Sequence, residues 1–182
     1  MPNVKGTAYA TIRALLKKAG PQSEEKMRAL LSEKEWNIFQ SVMPVSWIPV
    51  DIGGRIVEAA ATALFPGDPK GIWKMGKICG KDNVRGIYQP LIRILSVPYI
   101  GGKAASLWKI YYDQGENKVL EVNEKEKYIV FGVSGNPTLP ASLRVFIGGF
   151  VAGIIELTGA SNVGSQSIDT DPHLWKWRID WN

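Results

Sequence analysis

The chain has 182 residues, 45% hydrophobic and 21% charged, a balance that excludes a disordered or collagen-like polymer and suits one domain. Its single cysteine, Cys79, excludes an internal disulfide and a cysteine-only zinc site, and its single histidine, His173, excludes a site with two histidine ligands. The formal charge of +5 permits an anionic partner without demanding one.

From the N-terminus, Met1 to Gly6 holds no apolar signal-peptide core, and with a lone cysteine this makes a cytoplasmic protein the expectation. Tyr9, Ile12, Leu15 and Leu16 recur at helical spacing until Gly20-Pro21 stops the pattern. Ser23 reads as the N-cap of a helix over Glu24–Leu31, and Ser32-Glu33-Lys34-Glu35 as a capping box for a short helix carrying Trp36 and Phe39. Pro44 and Pro49 bracket an extended link containing Trp47, followed by an alanine-rich amphipathic helix over Asp51–Phe65. Asp68 reads as the cap of the next helix, which carries Ile72, Trp73, Met75 and Ile78 and ends near Gly80. A further helix is expected over Asn83–Leu95 with a kink at Pro90, then a break at Val97-Pro98-Tyr99. Gly102–Asp113 is a helix placing Leu107, Trp108, Tyr111 and Tyr112.

After Gly115 the hydrophobic period changes from helical to two. Lys118–Asn123 and Lys127–Val133 read as a hairpin around Glu124-Lys125-Glu126. Pro140–Thr158 is the strongest helix, with a broad stripe of Leu143, Phe146, Ile147, Phe150, Val151, Ile154 and Ile155. Asn162–Asp169 and His173–Trp181 read as strands, the second with His173, Trp175, Trp177, Ile179 and Trp181 on one face. The predicted fold is therefore α+β: a single domain over 1–182, with a mainly helical part (1–114) and then an antiparallel sheet with a long packed helix (115–182). The longest apolar run, Val145–Ile155, is far shorter than the roughly 20 residues of a membrane helix, so no transmembrane segment is expected.

Four features carry candidate chemistry. Residues 68–109 hold eight basic side chains against Asp68 and Asp82, a net of +6. Within them Lys70, Lys74, Lys77 and Lys81 share one helix face. That stripe is either a solvated face or a surface for an anionic partner, a nucleic acid or a membrane. Nucleic acid is the weaker choice, because no aromatic platform interleaves with the lysines. His173 with Asp169 and Asp171 is the best catalytic or metal-ligating material, but a strand-start histidine beside tryptophans reads as structural. No catalytic or metal residue is assigned and no enzymatic activity is expected. Gly148, Gly149 and Gly153 lie mid-helix and read as close helix-on-sheet packing rather than a phosphate loop. Seven tryptophans are many for this length. Trp73, Tyr88, Trp108 and Tyr111 fall on three successive predicted helices that either fill a core or line an apolar ligand cavity. Cys79, between Ile78 and Gly80, reads as a buried structural thiol.

Several phrases carry a family resemblance: Val4-Lys5-Gly6-Thr7, Ser46-Trp47 before the helix at Asp51, Val84-Arg85-Gly86-Ile87-Tyr88 and Leu107-Trp108 through Gly115. So do Gly149–Gly159, Ala160-Ser161-Asn162-Val163 and Asp171-Pro172-His173-Leu174-Trp175-Lys176-Trp177. Together they resemble an uncharacterised bacterial paralogous family related to the haem-NO-binding, V4R and TRAPP-type ligand-binding superfamily. The resemblance implies a sensor-like domain in bacterial signalling that binds a small hydrophobic molecule or a protein partner and often forms a homodimer. The haem-NO sensors use a mid-chain histidine and a Tyr-x-Ser-x-Arg motif. This chain has neither, so no cofactor is expected and haem is disfavoured. The alternatives are a protein-interaction scaffold without ligand and an anionic-surface binder acting through the lysine stripe.

Overall fold

A computed structural model of the chain describes residues 1–84, 96–168, 171 and 173–182. The predicted helix over Asn83–Leu95, with Pro90 and Tyr88, lies for the most part outside the described residues, as do Arg85, Arg93 and Asp169.

The first element is one the hydrophobic period is too short to reveal. Asn3–Lys5 is a strand (β1) paired antiparallel with Trp47–Pro49 (β2), Val4 facing Ile48. The helices Thr7–Ala19 (α1), Pro21–Ala29 (α2) and Glu33–Ser41 (α3) lie between them. Pro21, not Ser23, opens α2: its missing N–H is no loss at a first turn, and Gly20 with φ 97° makes the corner before it. Ser32 and Glu35 form the expected capping box, and the Ser32 backbone and side chain hold the Glu35 carboxyl below the ordinary carboxylate range. Arg13 of α1 donates to the carbonyls of Phe39, Gln40 and Val42, satisfying the free C-terminal end of α3.

Val50–Leu64 (α4) buries its alanine face. Gly71–Asn83 (α5) starts later and ends later than the sequence suggests. Lys70, not Asp68, is its N-cap residue, while the Asp68 carboxylate accepts from the Lys70 N–H at 2.9 Å. The Val97-Pro98-Tyr99 segment is not a break but a short helix, Val97–Gly101 (α6), because Ser96 caps it by accepting from the Tyr99 N–H. Ala104–Tyr111 (α7) follows.

Glu116–Asn123 (β3), Tyr128–Ser134 (β4), Gly164–Ile168 (β5) and Leu174–Asp180 (β6) form an antiparallel sheet in the order β3-β4-β6-β5. Trp175, Trp177, Ile179 and Trp181 are buried on one face, as their alternation predicts. The long helix Ala141–Glu156 (α8) packs on that face: the Trp177 indole N–H donates to the Arg144 carbonyl at 2.8 Å.

The tightest helix contact is α5 against α8. A Cβ on Gly149 would stand 2.1 Å from the Trp73 carbonyl oxygen, and one on Gly153 2.2 Å from that of Lys77. The arrangement is reciprocal, since a Cβ on Gly76 would meet the Phe146 oxygen at 2.2 Å and one on Gly80 that of Phe150 at 2.1 Å. The backbone approach expected of Gly149 and Gly153 is thus real, but it faces α5 rather than the sheet. Gly148 alone faces the sheet, toward Ser165 and Trp177.

Candidate functional site

Because α8 gives its glycine edge to α5, its bulky edge is free to face elsewhere. Phe146, Ile147, Phe150, Val151, Ile154 and Ile155 form one wall of a cavity of about 100 Å³. Val97, Ile100 and Gly101 of α6 with Ala104, Leu107, Trp108 and Tyr111 of α7 form the wall opposite. Asn117 and Val119 of β3 and Ile129 and Phe131 of β4 supply the sheet side, and Val4, Lys5 and Ala8 close one end.

Local chemistry fixes these walls. Trp108 stacks on Tyr112 with centroids 4.1 Å apart, and its indole N–H donates to the Gln114 carbonyl at 2.9 Å. Tyr111 meets Phe150 edge to face at 5.1 Å, joining α7 to α8. Tyr112 bridges to Val4, and the Asp113 carboxylate accepts from the Asn3 backbone and side-chain N–H groups at 2.6 and 2.7 Å. Burial raises the phenols of Tyr111 and Tyr112 above the ordinary tyrosine range, so both stay protonated at neutral pH. Lys5, the one charged lining residue among those described, places its ammonium 4.2 Å from the centroid of the Trp47 ring. Asn117 is 7% exposed, and its Oδ1 has no hydrogen-bond partner among the described residues.

Of the four aromatic residues singled out by sequence, the structure brings Trp108 and Tyr111 to this cavity. Trp73 stands apart from it. Its indole N–H donates to Ser165 Oγ at 2.6 Å, and Lys77 lies 4.9 Å from its ring, so it joins α5 to β5. Tyr88 is outside the described residues. Asn117 was missed, because the strand expected from the sequence begins one residue later.

The lysine stripe is largely paired. Lys74 binds Asp68 at 2.5 Å, and Lys77 and Lys81 each bind Glu156 of α8 at 2.5 Å. Partial burial raises the Glu156 carboxyl, but hydrogen bonds from Lys77 and Lys81 outweigh it and hold the group below its usual range. Lys70 contributes its backbone N–H to Asp68.

His173 is exposed in the turn before β6, its backbone N–H donating to Asp171 Oδ1 at 2.8 Å. Cys79 is buried, its thiol 3.8 Å from the Ala8 carbonyl, and burial pushes its pKa up to about 12. Neither lines the cavity. No group of three or more His, Cys, Asp or Glu suited to a metal ion occurs among the described residues. Among them, too, no helix is long and apolar enough to cross a membrane.

No family model and no curated protein matches the chain. Solved structures do. An Fe(II) unliganded H-NOX protein from K. algicida superimposes with a TM-score of 0.66 over 98% of this chain and 96% of its own, at 12% identity. A mutant H-NOX of T. tengcongensis gives a TM-score of 0.62 over 98% of this chain and 97% of its own, at 14% identity. A trafficking protein particle complex subunit 3 from Naegleria fowleri, covalently bound to palmitic acid, gives 0.52 over 73% of this chain and 95% of its own, at 12% identity. The chain has the α+β fold of the H-NOX proteins, and the resemblance read in its sequence holds at the level of that fold.

Proposed function

We propose that this is a non-enzymatic, sensor-like domain that captures a small hydrophobic molecule in the cavity between α7, α8 and the sheet. The observation that carries the reading is the cavity itself: aliphatic and aromatic side chains from β1, α1, α6, α7, β3, β4 and α8 converge on one space. Such a space favours an apolar guest, because burying apolar surface yields roughly 25 cal/mol per Å². A guest touching both α7 and α8 stabilises the arrangement in which they face each other. That differential affinity is what a switch requires.

Haem does not suit the site. Its iron needs an axial side chain, and the chain's one histidine, one cysteine and four methionines are all absent from the cavity wall. The two lining tyrosines described, Tyr111 and Tyr112, are engaged in ring contacts with Phe150 and Trp108. The cavity of about 100 Å³ also falls below the roughly 300–1,000 Å³ of drug-sized ligand sites. An anionic partner on the lysine stripe is disfavoured because Asp68 and Glu156 already partner three of its four ammonium groups.

Native mass spectrometry of the purified protein, before and after organic extraction, tests the proposal. A mass increment removed by extraction, or a thermal shift with apolar compounds, is expected. No retained molecule and no shift across a panel of aromatic and aliphatic compounds would contradict it.

A further inference from the structure

In the described part of the molecule, the buried side-chain atoms without a hydrogen-bond partner are Oδ1 of Asn83, Oδ1 of Asn117 and both amide atoms of Asn136. Of these residues only Asn117 lines the cavity. It sits on β3 opposite Val133, two residues from Val119, with which it shares the cavity-facing side of the strand. A buried amide oxygen left unpaired is destabilising, and an apolar side chain would avoid that cost at this position.

We propose that Asn117 receives the head of the ligand, so that the guest is a small uncharged amphiphile: an apolar body carrying one hydroxyl group. The inference rests on the cavity reading above and adds the chemistry of the guest. The hydroxyl donates to Asn117 Oδ1, the acceptor the protein leaves open. The described surroundings disfavour a charged head. Among the described residues Lys5 is the only lining side chain with a charge, and its ammonium rests on Trp47. A buried amine would meet the Lys5 ammonium and no described acidic side chain, and a buried carboxylate would have to draw that ammonium off the Trp47 ring. Size limits the body. An engineered apolar cavity of roughly 150 Å³ holds benzene. A space of about 100 Å³ is smaller still, so the body is limited to a short aliphatic chain or at most a single ring.

Phenol and toluene are matched probes, equal in shape and differing by a hydroxyl in place of a methyl. Their affinities are measured by calorimetry on the full chain, wild type and Asn117→Leu. The ratio of phenol to toluene affinity is expected to fall at least tenfold in the variant, with toluene binding retained. Toluene binding with an unchanged ratio would overturn the role of Asn117 and leave the cavity reading standing. Failure of the wild type to bind either probe would overturn both. A second readout needs the wild type alone: phenol, and not toluene, shifts the side-chain amide resonance of Asn117. Equal shifts, or none while both probes bind, would overturn the proposal.

Discussion

Asn117 shows how one residue can serve a site at the expense of the fold. Replacing it by leucine removes an unpaired buried amide, and the ligand-free protein should gain about 1–3 kcal/mol. A rise in the urea midpoint at unchanged slope checks this. A fall would mean the amide is already satisfied in solution. Cys79 makes a second prediction at this scale. With its thiol buried and pushed up to about 12, an aromatic disulfide reagent at pH 8 should leave the native protein unlabelled and label it fully in denaturant. Rapid native labelling would place Cys79 in an opening segment. Helical spacing was enough to find Trp108 and Tyr111, because large aromatic residues on an amphipathic helix point inward. Asn117 was not legible, since a polar residue at a strand start reads as solvent-facing and only the three-dimensional wall reveals it as buried. Trp73 carried the same aromatic signal as Trp108 but serves the α5–β5 contact.

At the scale of elements, the α5–α8 contact is the most demanding. Gly149→Ala puts a methyl group against the Trp73 carbonyl, a backbone atom that cannot step aside, and should cost about 3 kcal/mol. Gly164→Ala, whose added methyl meets nothing within 4 Å, is the control and should stay within about 0.5 kcal/mol. The same contact gives a pH dependence. The Glu156 carboxyl is lowered in the folded protein, so its stabilising contribution is complete above the ordinary carboxylate value of about 4.3 and fades as pH falls through the lower folded value. Glu156→Gln should therefore be less stable than wild type at pH 7, with the gap closing below about pH 4. A gap independent of pH would contradict the Lys77–Glu156–Lys81 cluster. The spacing of Gly149 and Gly153 announced a close approach but not its partner. Gly76 and Gly80 were hidden in a segment whose lysines dominated the pattern, and β1 was too short to show a period.

The fold of the whole molecule was legible because the hydrophobic period changes at Gly115, dividing helices from sheet, and the H-NOX structures share that plan at 12–14% identity. An aromatic-lined cavity was one of two expectations, but its full lining was not legible, because its walls come from β1, α1, α6, α7, β3, β4 and α8, and no single stretch of sequence records their convergence. The central claim is that this convergence forms a binding site. The direct measurement is the thermal midpoint against toluene concentration, for wild type and for Ala104→Phe, which puts a ring into the cavity from α7. A ligand that binds only the folded state stabilises it by about 2.7 kcal/mol at a hundred times its Kd. The wild-type midpoint should rise with toluene while that of the folded variant stays flat. A flat wild-type curve, or an equal rise in both proteins, would contradict the account.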